Sequence, residues 1–226
     1  MTLNAGPIFR SGRTGCKALV SIRASKNELT EIDLSDCPLL QEAYFTSNSL
    51  TKVNVGGCVS LRKLHVGYNY LTDISVGWCT TLTELYCQYN NISALDLSRC
   101  VELQSLHCAV NNLGSLVIPH RRKLHGVWCY ENRIKSLDLT GAPFISVISC
   151  FNNNLESLNL EERGHLGIFW CFGNRICDEI PLWMDKVSQF EHDARYEYPA
   201  DGSPFIDHGY GWWYPGEPAS GRHARE

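Results

Sequence analysis

The sequence predicts a mainly β solenoid of about eight 21-residue rungs, and three observations carry that reading. Asparagine recurs without gap or insertion at Asn27, Asn48, Asn69, Asn90, Asn111, Asn132, Asn153 and Asn174. Leu or Ile stands two positions after each of these, from Leu29 to Ile176, and a mostly apolar column stands five positions before, from Ile22 and Ala43 to Phe169. Ten of the eleven cysteines also fall into two columns of the same period: Cys16, Cys37, Cys58, Cys79 and Cys100, and then Cys87, Cys108, Cys129, Cys150 and Cys171. Units this short cannot bury an apolar face alone, so they stack and share one continuous core.

Residues 1–15 precede the first recognisable rung and are expected to cap its open apolar end, with Ile8 and Phe9 as the plugs. The rungs then occupy residues 16–180. Each opens on a short alternating segment, as in SLRKLHVGYNYL (60–71) and TLTELYCQYNNI (81–92), which reads as a strand ending at the asparagine. The second half of each rung alternates as well. Ile32/Leu34, Val53/Val55, Ile74/Val76, Leu95/Leu97, Leu116/Ile118, Leu137/Leu139 and Leu158/Leu160 predict a second extended segment on the opposite side. Too few residues remain for a helix, and Asn, Gly, Ser and Pro supply the turns.

A buried asparagine at a fixed turn is expected to satisfy backbone groups of its own rung and of the adjacent one. The glycosylation pattern Asn91-Ile92-Ser93 lies beside this ladder, and the repeat itself accounts for it. After Asn174 the register weakens, with Glu179 and Pro181 at the paired apolar positions. Residues 181–226 therefore read as a degenerate ninth rung (Val187, Phe190, His192, Arg195) followed by an aromatic, Gly/Pro-rich C-terminal cap. The stretch LWMDKVSQF has a short amphipathic helix as its alternative.

The cysteine spacing argues against disulfides. Equivalent residues in stacked strands sit about 4.8 Å apart with parallel Cβ vectors, whereas a bridge needs Cβ atoms about 3.8 Å apart and turned together. Both columns read as reduced thiols packed in the core, with Cys177 outside them. No CxxC or paired-ligand spacing points to a metal, and no cofactor motif occurs. A net charge of -4 gives no reason to expect nucleic acid as partner, and His120–Lys123 is the single basic run. No stretch approaches the ~20 apolar residues of a membrane span, and the opening residues lack an apolar core of signal-peptide length.

LTELYCQYNNISALDLSRC (82–100) and LQSLHCAVNNLGSLVI (103–118) resemble a leucine-rich repeat, more narrowly the bacterial cysteine-ladder class with the nested pattern LxxLxCxxNxLxxLDLxxN, called IRREKO or internalin J-like. The resemblance covers residues 16 to about 180. It implies a leucine-rich-repeat fold and a recognition role for protein or sugar, often at a secreted or surface location, as in an adhesin. The first three rungs depart from the pattern, with Ala24, Phe45 and Val66 in place of the strand cysteine. The chain as given, without a leader, points instead to the cytoplasm.

Function is expected at the outward positions that the repeat leaves variable. Four before each asparagine stand Arg23, Tyr44, His65, Tyr86, His107, Trp128, Ser149 and Trp170; two before stand Ser25, Thr46, Gly67, Gln88, Ala109, Tyr130, Phe151 and Phe172; Tyr68 and Tyr89 add to the rim. The candidate ligand-binding set is thus Tyr44, His65, Tyr68, Tyr86, Tyr89, His107, Trp128, Tyr130, Phe151, Trp170 and Phe172. These side chains point away from the core, and an aromatic stripe several rungs long is a recognition surface. Its alternatives are rings that stack on each other to stabilise the sheet, and cover by the C-terminal segment. Catalysis has little support. His65 and His107 are two rungs apart, about 9.6 Å by strand spacing, with carboxylates only on other columns (Glu42, Glu84), and no nucleophile or phosphate-loop motif occurs. Asp193, Asp207 and His208 are the remaining chemically useful groups. The reading is a non-catalytic module that binds a protein ligand through a concave aromatic strand face. A carbohydrate ligand, suited to Trp128 and Trp170, and a cytoplasmic scaffold or partner-inhibiting protein are the alternatives.

Overall fold

The computed structural model describes residues 2–4, 17–118, 123–159, 166–176 and 189–191. Fifteen short strands make up its regular structure. They are β1 (Thr2–Asn4), β2 (Ser21–Arg23), β3 (Glu31–Asp33), β4 (Glu42–Tyr44), β5 (Lys52–Asn54), β6 (Lys63–His65), β7 (Glu84–Tyr86) and β8 (Ser105–His107). Then come β9 (Leu116–Val117), β10 (Gly126–Trp128), β11 (Ser136–Asp138), β12 (Val147–Ser149), β13 (Ser157–Asn159), β14 (Ile168–Trp170) and β15 (Gln189–Glu191). No helix occurs among the described residues, which fits a rung too short to hold one.

Ten strands form one parallel sheet in the order β1-β2-β4-β6-β7-β8-β10-β12-β14-β15. From β2 onward every pairing advances by one 21-residue period, as in Ile22↔Ala43, Leu64↔Leu85, Leu106↔Val127 and Phe169↔Phe190. At the N-terminal end β1 extends the sheet, with Leu3 beside Ile22. The first turn of chain thus meets the solenoid edge to edge, where the sequence suggested plugging side chains; Ile8 and Phe9 lie outside the described residues.

The strands stop four residues before each asparagine rather than at it. The residue immediately before the asparagine turns left-handed in every rung: φ is 59° at Lys26, 58° at Ser47, 57° at Tyr68, 53° at Tyr89 and Val110, 52° at Glu131, 51° at Asn152 and 66° at Gly173. A regular strand cannot run through that conformation. The inter-rung bonds nevertheless continue to the turn, for example from Cys87 N–H to His107 C=O (2.8 Å) and from Tyr89 N–H to Ala109 C=O (3.0 Å).

The asparagine ladder is fully formed. Asn90 Oδ1 accepts from Leu71 N–H of the preceding rung (2.9 Å), while its Nδ2 donates to Cys87 C=O of its own rung and Val66 C=O of the rung before (3.0 Å each). The same three bonds recur at Asn48, Asn69, Asn111, Asn132, Asn153 and Asn174. One side chain per rung thereby satisfies groups that the turn would otherwise strand without water.

On the opposite side the second segments pair only in part. β3 pairs with β5, and β9, β11 and β13 form a three-stranded sheet. In the two rungs between, Ile74, Val76 and Leu97 are buried but no strand forms, which corrects the expectation of a second strand in every rung. The unbroken ladder holds the rungs at strand spacing on one side; on the other the middle rungs are held by packing and by scattered bonds, such as Ser93 N–H to Thr72 C=O (3.4 Å) and the Cys100 thiol to Val76 C=O (3.8 Å).

Between the two sides, Leu64, Leu85, Leu106, Val127 and Ile148 are fully buried, each burial contributing about 1.5–3 kcal/mol. All nine described cysteines are buried thiols. Burial pushes Cys58, Cys79, Cys87 and Cys129 up to about 12, so they are neutral packing groups at any physiological pH. Cys16 and Cys177 lie outside the described residues. The chain divides into two compact units, residues 1–196, which carry the solenoid, and residues 197–226, which lie outside the described residues.

Candidate functional site

Strand alternation sends the middle residue of each three-residue strand inward and its two neighbours onto the outer surface of the long sheet. Parallel in-register pairing then stacks equivalent residues in rows along the solenoid. The first row reads Ser21, Glu42, Lys63, Glu84, Ser105, Gly126, Val147, Ile168; the second is the predicted row from Arg23 to Trp170.

The rings of the second row touch in sequence. Arg23 lies 4.3 Å from the Tyr44 ring centre, Tyr44 meets His65 edge-on at 4.8 Å, and His65 stacks flat on Tyr86 at 4.3 Å with 6° between planes. Tyr86 meets His107 at 5.9 Å, and His107 then contacts both Trp128 (5.9 Å) and Tyr130 (6.0 Å). At His107 the stack therefore branches into the row two residues on, where Tyr130, Phe151 and Phe172 stack at 4.5 and 4.6 Å, 5° and 12° from parallel. Tyr68 and Tyr89 form a separate flat pair at 4.4 Å on the left-handed turn.

All eleven predicted residues thus lie along this face or its rim. Their exposure differs from the expectation. Tyr44, His65, Tyr68, Tyr86, Trp128, Tyr130, Phe151 and Trp170 are half-buried, and Tyr89 is exposed. His107 is 2% exposed and Phe172 7%. Pointing away from the core does not keep a side chain in water when the neighbouring rungs carry rings at strand spacing. Burial pushes His107 down to about 3, so its imidazole is neutral at physiological pH.

The first row adds what the sequence reading passed over. Glu84 lies between two bases: Lys63 Nζ at 2.8 Å and His65 Nε2 at 3.2 Å. Arg23 pairs with Glu42 at 3.3 Å. The carboxylates counted as belonging to another column reach the aromatic row diagonally, one rung up and two residues back. The alternation Glu42, Lys63, Glu84 was the available signal. For His65, burial lowers the pKa and outweighs the bond to Glu84, which raises it; the Glu84 bond holds the Lys63 ammonium above its usual range. From Gly126 onward the same row turns apolar, so charge is confined to the first half of the face and aromatic and aliphatic surface to the second. Among the described residues no group of three or more His, Cys, Asp or Glu side chains is placed to hold a metal. Asp193, Asp207 and His208 lie outside the described residues. Of the basic run, Lys123 is exposed and pairs with Glu102.

No family model matches the chain, and no curated protein sequence does. Solved structures do. The leucine-rich repeat domain of APL1B aligns over 76% of this chain and 62% of its own length, at 16% identity and a TM-score of 0.59. A leucine-rich-repeat protein of Leptospira interrogans aligns over 70% of this chain and 56% of its own, at 18% identity and a TM-score of 0.53. The leucine-rich effector YopM of Yersinia pestis aligns over 63% of this chain and 40% of its own, at 24% identity and a TM-score of 0.55. The chain therefore spans between two fifths and about three fifths of each of these proteins. At such identities the likeness shows the fold: a parallel β solenoid of the leucine-rich-repeat type.

Proposed function

We propose that this chain is a non-catalytic recognition module that binds a protein ligand through the aromatic face of its long sheet. The observation that carries the reading is the ring ladder, a contiguous, half-buried aromatic surface on the one face where every rung is bonded to the next. Aromatic anchors of this kind bring large contact area at little rotamer cost, and here neighbouring rings fix the rotamers in advance. The charged half of the face, with Arg23, Glu42, Lys63 and Glu84, supplies complementary orientation.

The stacking geometry favours protein over carbohydrate. A sugar packs on the flat face of a ring, and in the pairs His65–Tyr86, Tyr130–Phe151 and Phe151–Phe172 the faces are already turned to each other. What such a stack offers outward is ring edges, which suit carbonyls, hydroxyls and other rings. The test is capture of binding proteins by wild type and by a Tyr86→Ala/Trp128→Ala double variant, run beside a glycan array. The expected result is loss of the protein partner from the variant with the fold retained by circular dichroism. A folded variant that binds everything the wild type binds would make the ladder purely structural.

A further inference from the structure

Between its second segment and its next strand, each rung folds through two tight turns about the first cysteine column. Cys37 N–H bonds to Leu34 C=O (3.0 Å) and Leu40 N–H to Cys37 C=O (3.1 Å), and the same pair recurs about Cys58, Cys79 and Cys100. The cysteines are buried, and side chains tie one turn to the next. The Cys58 thiol donates to Leu34 C=O (3.2 Å), and Thr81 Oγ donates to Val59 and Leu61 C=O (3.1 and 2.9 Å). The outward residues of these four turns therefore form rows along one flank, distinct from the rows of the aromatic face. The row one before the cysteine reads Asp36, Gly57, Trp78, Arg99, and the row one after it reads Pro38, Val59, Thr80, Val101.

This flank is apolar where turns are usually polar. Trp78 is 65% exposed, and Val59 and Val101 are more than half exposed. An exposed patch of large apolar groups marks a contact surface. Read backwards, each row complements itself. In the first, Asp36 comes opposite Arg99 and Gly57 opposite Trp78, so opposite charges meet at the ends and the smallest residue meets the largest between them. In the second, apolar groups and the Thr80 methyl meet one another. The notch at Gly57 is fixed by the backbone: its φ is 110°, and a Cβ there would run into Ser35 C=O. Among the described residues no other group comes within 4 Å of that place, so Trp78 does not fill the notch of its own chain, and nothing comes within 4 Å of a Cβ at Gly77 beside it.

We infer that this flank is a contact between two copies of the chain, laid antiparallel with a two-fold axis between the turns of Cys58 and Cys79. In a contact of that symmetry residue i faces j and j faces i, which is the relation the reversed rows satisfy. Each Trp78 enters the Gly57 notch of the other copy, and Asp36 and Arg99 pair at both ends. Leu39 meets Glu102, whose carboxylate is engaged by Lys123 of the following rung. A second copy also carries the same spacing of about 4.8 Å from turn to turn, so all four turns stay in step. The contact is small, which places it among weak and reversible associations.

Sedimentation equilibrium of the full chain, from about 1 to about 500 µM, is the test. The weight-average mass is expected to rise from 25.5 kDa towards twice that value. Trp78→Ser should weaken association about thirtyfold or more, since the ring is used twice. Asp36→Arg sets like charges opposite each other at both ends and should weaken it at least about tenfold, while Asp36→Arg with Arg99→Asp restores the pairing and should return it to within about threefold of wild type. Tyr86→Ala/Trp128→Ala, on the other face, should associate as wild type does. A mass that stays at 25.5 kDa throughout, a Trp78→Ser variant that associates like wild type, or a double swap no stronger than the single one overturns the inference. If Trp78→Ser does not fold, the two charge swaps, made at exposed positions, decide.

Discussion

Replacing Asn90 tests the ladder that holds the rungs together. Asn90 is 3% exposed, and its amide makes four inter- and intra-rung bonds, the longest from Nδ2 to Gln88 C=O (3.3 Å), a carbonyl that Tyr68 N–H also reaches. The acceptors are doubly served: Val66 C=O also receives Asn69 Nδ2 (3.0 Å), and Cys87 C=O receives Asn111 Nδ2 (3.0 Å). Asn90→Ala therefore strands one group outright, the Leu71 N–H, at about 1–3 kcal/mol, and leaves a small void besides. The expected loss is about 2–4 kcal/mol. Asn90→Asp keeps the shape and the acceptor for Leu71, but turns a second oxygen towards two carbonyls and buries a charge. At pH 7 it should cost more than alanine. Protonation supplies a donor again, so the gap should narrow towards pH 4. The neighbouring exposed Asn91 is the control, and Asn91→Ala should stay within about 0.5 kcal/mol of wild type. Urea unfolding at constant m-value is the assay. An aspartate variant at neutral pH as stable as the alanine one, or an Asn91→Ala loss as large as that of Asn90→Ala, would refute the account.

Three further outcomes are expected. His107 is held neutral in the fold while an unfolded chain protonates near 6.5, so its contribution is complete above that pH and is lost as pH falls from about 6.5 towards about 3. Between pH 6.5 and 4.5 that amounts to roughly 2–3 kcal/mol, and His107→Phe, which keeps a ring in the stack, should flatten the acid limb of stability against pH by that amount. Lys26 is exposed with φ at 59°, so Lys26→Gly should raise stability by about 0.5–1 kcal/mol once the gain in unfolded-chain entropy is subtracted, while Glu28→Gly two residues on should lower it, both read from thermal midpoints. Thiol titration of the native protein should find the nine described cysteines unreactive, and titration under denaturing, non-reducing conditions should recover nearly all eleven; recovery of one or two would show the columns to be bridged.

The inward column and the asparagine bonds were legible in the residues, whereas strand pairing on the opposite side was not. Ile74, Val76 and Leu97 alternate like their counterparts in other rungs and are buried like them, yet they form no strand. Side-chain pattern reports which face is dry; pairing depends on the distance to the next rung, and that is set by the whole stack. The candidate face shows the same division. Counting by 21 placed Tyr44, His65, Tyr86, Trp128 and Trp170 in one row, and they are there. It did not show that His107 is sealed by its neighbours, or that Glu84 reaches His65 across the register, because both depend on side chains from two rungs meeting obliquely. The left-handed residue before each asparagine was hidden for another reason. Glycine marks it only at Gly173, and Lys, Ser, Tyr, Val, Glu and Asn fill it elsewhere.

The geometry also constrains the form of the proposed partner. Equivalent groups on this face repeat at strand spacing, about 4.8 Å, along the solenoid. An extended peptide lying along the same axis repeats its same-side residues every 6.6–6.8 Å, roughly twice its rise per residue, so it falls out of step with the rows within two or three rungs. A peptide strand laid there would meet one or two rings in good register and miss the rest. A folded surface need not follow the axis, and it can place a single protruding ring at one point while its neighbours contact ring edges on either side. On the proposed function, the charged first half and the aromatic second half would engage different parts of one partner surface.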